Sequence, residues 1–475
     1  MSASAQAILI VAAVVLGTIA FALLAVRRFK MEPQEFIVGG RSFGAVLLWL
    51  LLSGEIYTSF TFLGAAGWAY GKGAPAFYII AYGTIGYIIG YFYLPAVWRL
   101  GKAHGLMTWP DFLVDRYGSR SLGTFVAVLQ FLLAVPYVTL QLTGLQILLT
   151  IAGYGRYDAT VAVSVAFLLM ALFVFTAGLR GAAWASIIKD VLVLGAVMFA
   201  GIALPIHFFG SADTMFSRVA QAHPHWLVLA SGSAPYGVNW FVSTVALTSI
   251  GYFMGPASAQ SVFSARDEET VRRNMMFMPL YGLVIVFVLL AGFAALLVVP
   301  GLKGPAADQS FMLVLQRDFP AWLLGIVAGA GCLAALLPAS VLLLGAASIF
   351  SRNVLGSTRY VRALVLVCAV LSLTLWIFAK TSLVDLLLFY YNGITQLAPG
   401  VMAALFWKRV SAWAVGAGLA SGEAVAAYSL HASMGPQGIN PGLMALACNV
   451  AVLVAVTLAF PRITPTHGQH RTVQR

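Results

Sequence analysis

Charge is what this sequence has least of. Asp, Glu, Lys and Arg make up 9% of its 475 residues, while hydrophobic types make up 61%. That balance is wrong for a soluble globular protein and typical of a polytopic helical membrane protein. Long polar runs are missing too: none exceeds about thirty residues, which leaves no room for a large soluble domain. The three cysteines, Cys332, Cys368 and Cys448, all fall inside apolar runs. They read as small core residues rather than disulfides or metal ligands. No His/Cys metal spacing and no GxxxxGK[ST] phosphate loop occurs, so neither an enzyme nor an ATP-driven pump is expected. The net charge of +12 comes from residues scattered over short loops, which argues against a nucleic-acid partner. The first apolar run follows MSASAQA without a basic n-region or a small-residue cleavage site, so it reads as a retained transmembrane helix.

What is present is a succession of apolar runs. Length and apolarity predict thirteen transmembrane helices, at roughly 7–26, 43–70, 74–98, 121–151, 158–178, 182–207, 236–263, 275–300, 321–350, 361–379, 382–407, 412–432 and 441–460. The runs do not alternate, as barrel strands would. With the N-terminus outside, 20 of the 27 basic residues fall on the inner side and 6 on the outer, with Lys189 inside a span. That expectation places the chain in the plasma (bacterial inner) membrane with its C-terminus in the cytoplasm. Two loops are predicted to hold short helices. GLMTWPDFLVDRYGS (105–119) has Thr108 as N-cap, Pro110 near the start and Gly118 as stop, on the inner side. AADQSFMLVLQRDFP (306–320) reads as amphipathic, on the outer side.

The second run, Phe43 to Gly71, is unlike lipid-facing helix. Ser53, Gly54, Glu55, Tyr57, Thr58, Ser59 and Thr61 crowd its middle. Glu55 lies roughly 18 Å along the helix from Phe43, near the middle of a ~30 Å hydrocarbon core. A carboxylate there needs a partner, a cavity or an ion. Gly54 can open the helix beside it, and broken helices with polar groups at mid-depth mark secondary transporters. The run 236–263 is a second expected break, at Gly251 and Pro256, with Thr248, Ser249 and Tyr252 nearby. Lys189 sits roughly 12 Å into its span. Ala182, Ala185, Ser186, Ala196 and Ala200 share its face, so it is expected to point into the bundle rather than snorkel. Asp190 lies about 100° further round, and its partner is left open. Gln130, Pro136, Tyr137, Thr139, Gln141, Thr143 and Gln146 either line a cavity or hold helices together. Asp385, Glu423 and His431 lie close to span ends, where water reaches.

Several motifs resemble the sodium:solute symporter family over nearly the whole chain. They are GGRSFG (39–44), MTWPDFLVDRYGS (107–119) and QLAPGVMAALFWKRVSAWAVGAGLASG (396–422). WLLLSGEIYTSFTF (49–62), GLRGAAWASIIKDVL (178–192), GPASAQSVFSARDEETVRRN (255–274) and AALLPASVLLLGAASIFSRNV (334–354) look most like its monocarboxylate permease branch. The resemblance implies an all-α polytopic membrane protein with a leucine-transporter-type core of two inverted five-helix repeats. One extra helix would occupy 1–30, the repeats 31–235 and 236–409, and two C-terminal helices 410–475. It implies alternating-access symport of a small organic solute, a monocarboxylate such as lactate or pyruvate, or alanine. The coupling cation would be H+ or Na+, with no other cofactor. Where sodium-coupled members carry a hydroxyl pair, this chain has Leu337 and Pro338, followed by Ser340. Lys189 would stand in for the cation, paired with Glu55, and Ser53 and Ile56 would offer carbonyls. Gly54, Tyr57, Thr58, Gln141 and Tyr252 would line the substrate. The alternative is a sodium-coupled importer of amino acids or another organic solute. A channel, a membrane acyltransferase and a transporter-like sensor fit less well. No filter motif and no catalytic centre is present, and only fifteen residues follow Phe460.

Overall fold

The structure is a computed structural model describing residues 1–378, 382–429 and 435–460; of Glu55 it describes the backbone alone. Helix is the expected answer to an apolar chain in a bilayer, because each backbone group then finds its partner within its own segment. Twenty α-helices follow one another among the described residues. The first ten are α1 Ala3–Val26, α2 Pro33–Val38, α3 Ala45–Ile56, α4 Ala65–Lys72, α5 Tyr78–His104, α6 Trp109–Tyr117, α7 Arg120–Ala152, α8 Ala159–Phe209, α9 Ala212–Ala222 and α10 Val238–Gly251. Then come α11 Pro256–Ser264, α12 Glu268–Gly282, α13 Ile285–Val298, α14 Ser310–Asp318, α15 Ala321–Asn353, α16 Val361–Phe378, α17 Leu383–Ile394, α18 Ala398–Phe406, α19 Ala412–Tyr428 and α20 Pro441–Ala459. Among the described residues the only strand-like pairing is an isolated parallel bridge between Phe43 and Ala265.

Among the described residues, eight stretches are long and apolar enough to cross a membrane. The sequence predicts thirteen spans, and the difference has a structural cause. The runs 43–70 and 236–263 each divide into two short helices, α3 with α4 and α10 with α11. The runs 158–178 and 182–207 form one continuous element, α8, whose two arms meet at Gly178 with φ 57° and ψ −158°. A side chain there would strike Phe36, 2.7 Å from its carbonyl oxygen, so glycine alone fits this turn. The run 382–407 divides into α17 and α18, and α19 is only 17 residues long.

α15 is the axis of the bundle. It is buried on every side through its middle and packs against α1, α7, α8 and α16. The outward faces of α5, α8 and α16 instead carry exposed Phe92, Val161, Val191 and Phe378, as lipid contact requires. Both predicted loop helices form. In α6, Thr108 Oγ1 caps the Asp111 amide at 3.1 Å and Gly118 ends the helix at φ 69°. α14 occupies 310–318 of the second loop.

Candidate functional site

The two broken helices face each other in the middle of the bundle, and each break is chemically closed. α3 ends where Tyr57 leaves helical geometry, at φ −93° and ψ 85°. The chain then passes through a π turn, Phe60–Gly64, into α4. Thr61 Oγ1 donates to the Ile56 carbonyl at 2.5 Å and accepts the Thr58 amide at 2.9 Å. Gln141 Oε1 on α7 accepts both the Ser59 amide, at 3.1 Å, and the Ser59 hydroxyl, at 2.8 Å. The second break runs from Tyr252 to Gly255, and α11 restarts with Pro256 in its first turn. Its open carbonyls are taken by side chains. Trp109 Nε1 donates to Phe253 at 2.9 Å and Gln130 Nε2 to Met254 at 2.6 Å.

Between the breaks lies a narrow, mostly apolar cavity of about 40 Å³. α3 contributes Leu51 and Gly54; the first break contributes Thr58. Tyr252 and Gly255 come from the second break, with Ala257 and Ser258 from the first turn of α11. Leu337 and Pro338 of α15, Ser186 of α8, Tyr137 of α7 and Tyr390 and Tyr391 of α17 complete the wall. The amino-terminal turn of α11 therefore lines a low-polarity space. A helix N-terminus carries partial positive charge and spare amides, so it suits an anionic group.

Behind Gly54 and Ser186 sits the most polar cluster of the core. Lys189 is fully buried and Asp190 nearly so. Lys189 Nζ lies 2.6 Å from Asp190 Oδ1, an ionic approach without hydrogen-bond alignment. Asp190 also accepts from Ser53 Oγ at 2.5 Å and from Tyr281 OH on α12 at 3.0 Å. The Tyr281 ring stands edge-on to Tyr57 and Trp49, at 5.1 and 4.8 Å. A buried ion pair of this kind is costly to desolvate and holds only because further donors satisfy the carboxylate. The ammonium lies close to the cavity wall: a Cβ on Gly54 would stand 3.5 Å from Nζ.

Of the predicted substrate residues, Gly54, Thr58 and Tyr252 line the cavity. Tyr57 and Gln141 do not; Tyr57 packs on Tyr281, and Gln141 is spent on Ser59. The predicted ion residues also scatter. Ser53 turns its hydroxyl to Asp190, and its carbonyl accepts the Tyr57 amide at 2.9 Å. The Ile56 carbonyl is engaged by Thr61. Ser340 donates back into its own helix, to Leu337, at 2.7 Å. The Glu55 side chain, and with it the Glu55–Lys189 pair, lies outside the described residues, as does His431. Asp385 is exposed, as expected, whereas Glu423 is half-buried. Sequence reasoning missed Tyr390 and Tyr391, although their run FYYNG was visible, and missed the Asp190 partners.

Contacts tie the elements together at both ends of the bundle. At the end bearing α6, Phe43 accepts the Arg266 amide and donates its own to Ser264, at 2.9 and 3.0 Å. Arg41 donates to the Leu106 and Phe263 carbonyls, and Arg352 meets Asp111 at 2.6 Å. Burial and the nearby Arg352 both hold the Arg41 pKa below its usual value. Arg180, beyond the Gly178 turn, pairs with Glu35 of α2. At the other end, the 3-10 turn Gly304–Gln309 is pressed against α4 and α17.

Known proteins give this geometry a context. The chain is 38% identical over 474 residues to an uncharacterized symporter, YhjB, of Bacillus subtilis, covering 95% of this chain and 96% of that one. It is 29% identical over 464 residues to a monocarboxylate transport permease protein of Rhizobium johnstonii, covering 92% of each. Among solved structures, a Na+-coupled sialic acid symporter in a substrate-bound outward-open state superposes with a TM-score of 0.76 at 16% identity, covering 97% of this chain and 99% of that chain. At that identity the likeness establishes the fold, a symporter fold, and nothing finer. The model of the sodium:solute symporter family matches residues 36–422. This chain belongs to the sodium:solute symporter family.

Proposed function

We propose that this cation-coupled solute symporter imports a small monocarboxylate, such as lactate or pyruvate, by alternating access. The observation that carries the reading is the cavity between the two breaks. It is small and mostly apolar, with the α11 N-terminus and a few hydroxyls as its polar features. A short acid would set its carboxylate on the α11 amides and its alkyl end against Leu337, Pro338, Val341 and Leu342. Lys189 stands one layer behind, as the counter-charge that favours an anion or replaces a metal cation. The permease named for monocarboxylates supports the substrate class.

The coupling ion is H+ or Na+. The family's name favours Na+. The Lys189–Asp190 pair favours H+, because it sets an ammonium against a carboxylate inside the bundle, where a metal cation would otherwise need room. An importer of amino acids coupled to Na+ is the second reading, favoured by the same family name.

Thirteen crossings account for the helices: α1; α3 with α4; α5; α7; the two arms of α8; α10 with α11; α12 with α13; α15; α16; α17 with α18; α19; and α20. The repeats would occupy 31–235 and 236–409. The 20-to-6 division of basic residues favours α6 in the cytoplasm and α14 outside, in a bacterial inner membrane. Uptake of radiolabelled lactate or pyruvate into proteoliposomes tests the reading, driven by a Na+ gradient at constant pH or by a pH gradient without Na+. Proton-driven uptake abolished in Lys189→Ala is the expected result. Na+-driven uptake that survives the substitution overturns the proton assignment, and no uptake of either acid overturns the substrate class.

A further inference from the structure

Besides Asp190, the described core buries a second carboxyl, far from the ion pair in sequence. Asp308, in the 3-10 turn before α14, is 3% exposed and faces no basic group within ion-pair distance among the described residues. Its Oδ2 accepts the amide of Leu383, the first residue of α17, at 3.0 Å. Its backbone presses on α4, so that a Cβ on Gly67 would fall 2.8 Å from Asp308 Cα. One residue therefore joins the loop to the upper half of the first broken helix and to the helix that supplies Tyr390 and Tyr391 to the cavity. Asp308 also lines two separate clefts, of about 510 and 420 Å³. One runs along α7 past Thr143 and Gln146, and there Asp308 is the sole ionisable lining group among the described residues. The other carries Lys72 from α4, His223, Lys303 and Asp385. Lys380 lies outside the described residues.

We infer that Asp308 is a proton-binding site that latches this end of the bundle shut. The group lines a cleft on each of two sides yet is buried at the point of contact, so its charge is tolerated when the loop lifts and penalised when the loop seats. Burial raises its pKa from 3.8 to about 7, with Asp385 adding to the rise and the Leu383 amide opposing it. The sign follows from linkage. The seated loop prefers the neutral acid, so closure gains as pH falls through about 7 toward the ordinary carboxylate range and is weakened above it. The neutral acid can still accept the Leu383 amide through its carbonyl oxygen, so proton uptake removes the burial penalty without breaking the tie. On the reading that this end faces outward, an external proton closes the gate behind the substrate.

Hydrogen exchange of the Leu383 amide and of residues 304–318 tests this in purified wild-type protein in detergent at pH 5, 6.5 and 8, after correction for intrinsic rates. No transport is needed, so its failure is distinct from failure of the substrate assignment. Opening should be rarer at pH 5 than at pH 8 by on the order of ten- to a hundredfold. Asp308→Asn, which keeps the acceptor without the charge, should stay protected at every pH. A wild-type opening constant that varies less than about threefold across this range overturns the inference. So does an Asp308→Asn protein that keeps the wild-type pH dependence. Should the variant not fold, the wild-type titration decides alone.

Discussion

Neutral side chains take the open backbone at both breaks, Thr61 and Gln141 at the first and Trp109 and Gln130 at the second, but their surroundings differ. Around α3 the next layer is ionic: Lys189, Asp190, Ser53 and Tyr281 stand against the helix. Around α10 and α11 it is neutral and aromatic: Trp109 and Gln130 take the free carbonyls, and Tyr252 and Phe253 pack on Tyr87. A charged cluster can answer a cation; a neutral one fixes shape. On the proposed symport, the difference would give cation coupling to the first break and substrate fit to the second.

The sharpest way to break that contrast is to remove half of the ion pair. Lys189→Met leaves Asp190 buried without its counter-charge and should cost roughly 3–5 kcal/mol, read as a lower melting temperature in detergent. Adding Asp190→Asn should restore most of that stability without restoring coupled uptake. A double variant as unstable as the single one argues against a paired role. Next in size are the glutamines. Gln130→Leu orphans the Met254 carbonyl and Gln141→Leu orphans the Ser59 amide, each at about 1–3 kcal/mol. Kinetics should separate them: Gln130→Leu raises KM for the acid, and Gln141→Leu raises the cation concentration for half-maximal rate. Identical profiles would dissolve the division of labour. The smallest effect belongs to Gly54→Ala. Its new methyl meets Lys189 Nζ at an ordinary 3.5 Å, so the fold should hold while the methyl takes space from the cavity. A severalfold rise in KM that is steeper for longer acids would place the substrate at that wall.

The second break was legible because Gly251 and Pro256 at mid-span have few other uses. The first was legible from its crowd of hydroxyls, but Gly54 stays inside α3 and the chain opens three residues later, at Tyr57. The inward direction of Lys189 was legible from the small residues on its face. α6 was legible from its cap, its proline and its closing glycine. The Asp190 pairing was not, since adjacent helical residues diverge by about 100° and only the long lysine stem lets the charges meet. The tyrosines of α17 were hidden for another reason. They reach the cavity from more than a hundred residues away from α10, through packing that no local pattern records. Gln141 looked like a cavity residue because a glutamine at depth needs a partner, and sequence does not say whether that partner is a ligand or the Ser59 backbone.

α7 holds Gln130 and Gln141 on one continuous helix, with Pro136 between them, and each grips a different break. Hydrogen bonds of 2.6 to 3.1 Å fail when stretched by about an ångström. Neither break can travel far past α7 unless the helix travels too, bends at Pro136 or one grip lets go. Two amide side chains three turns apart thus moor both half-sites to a single spar.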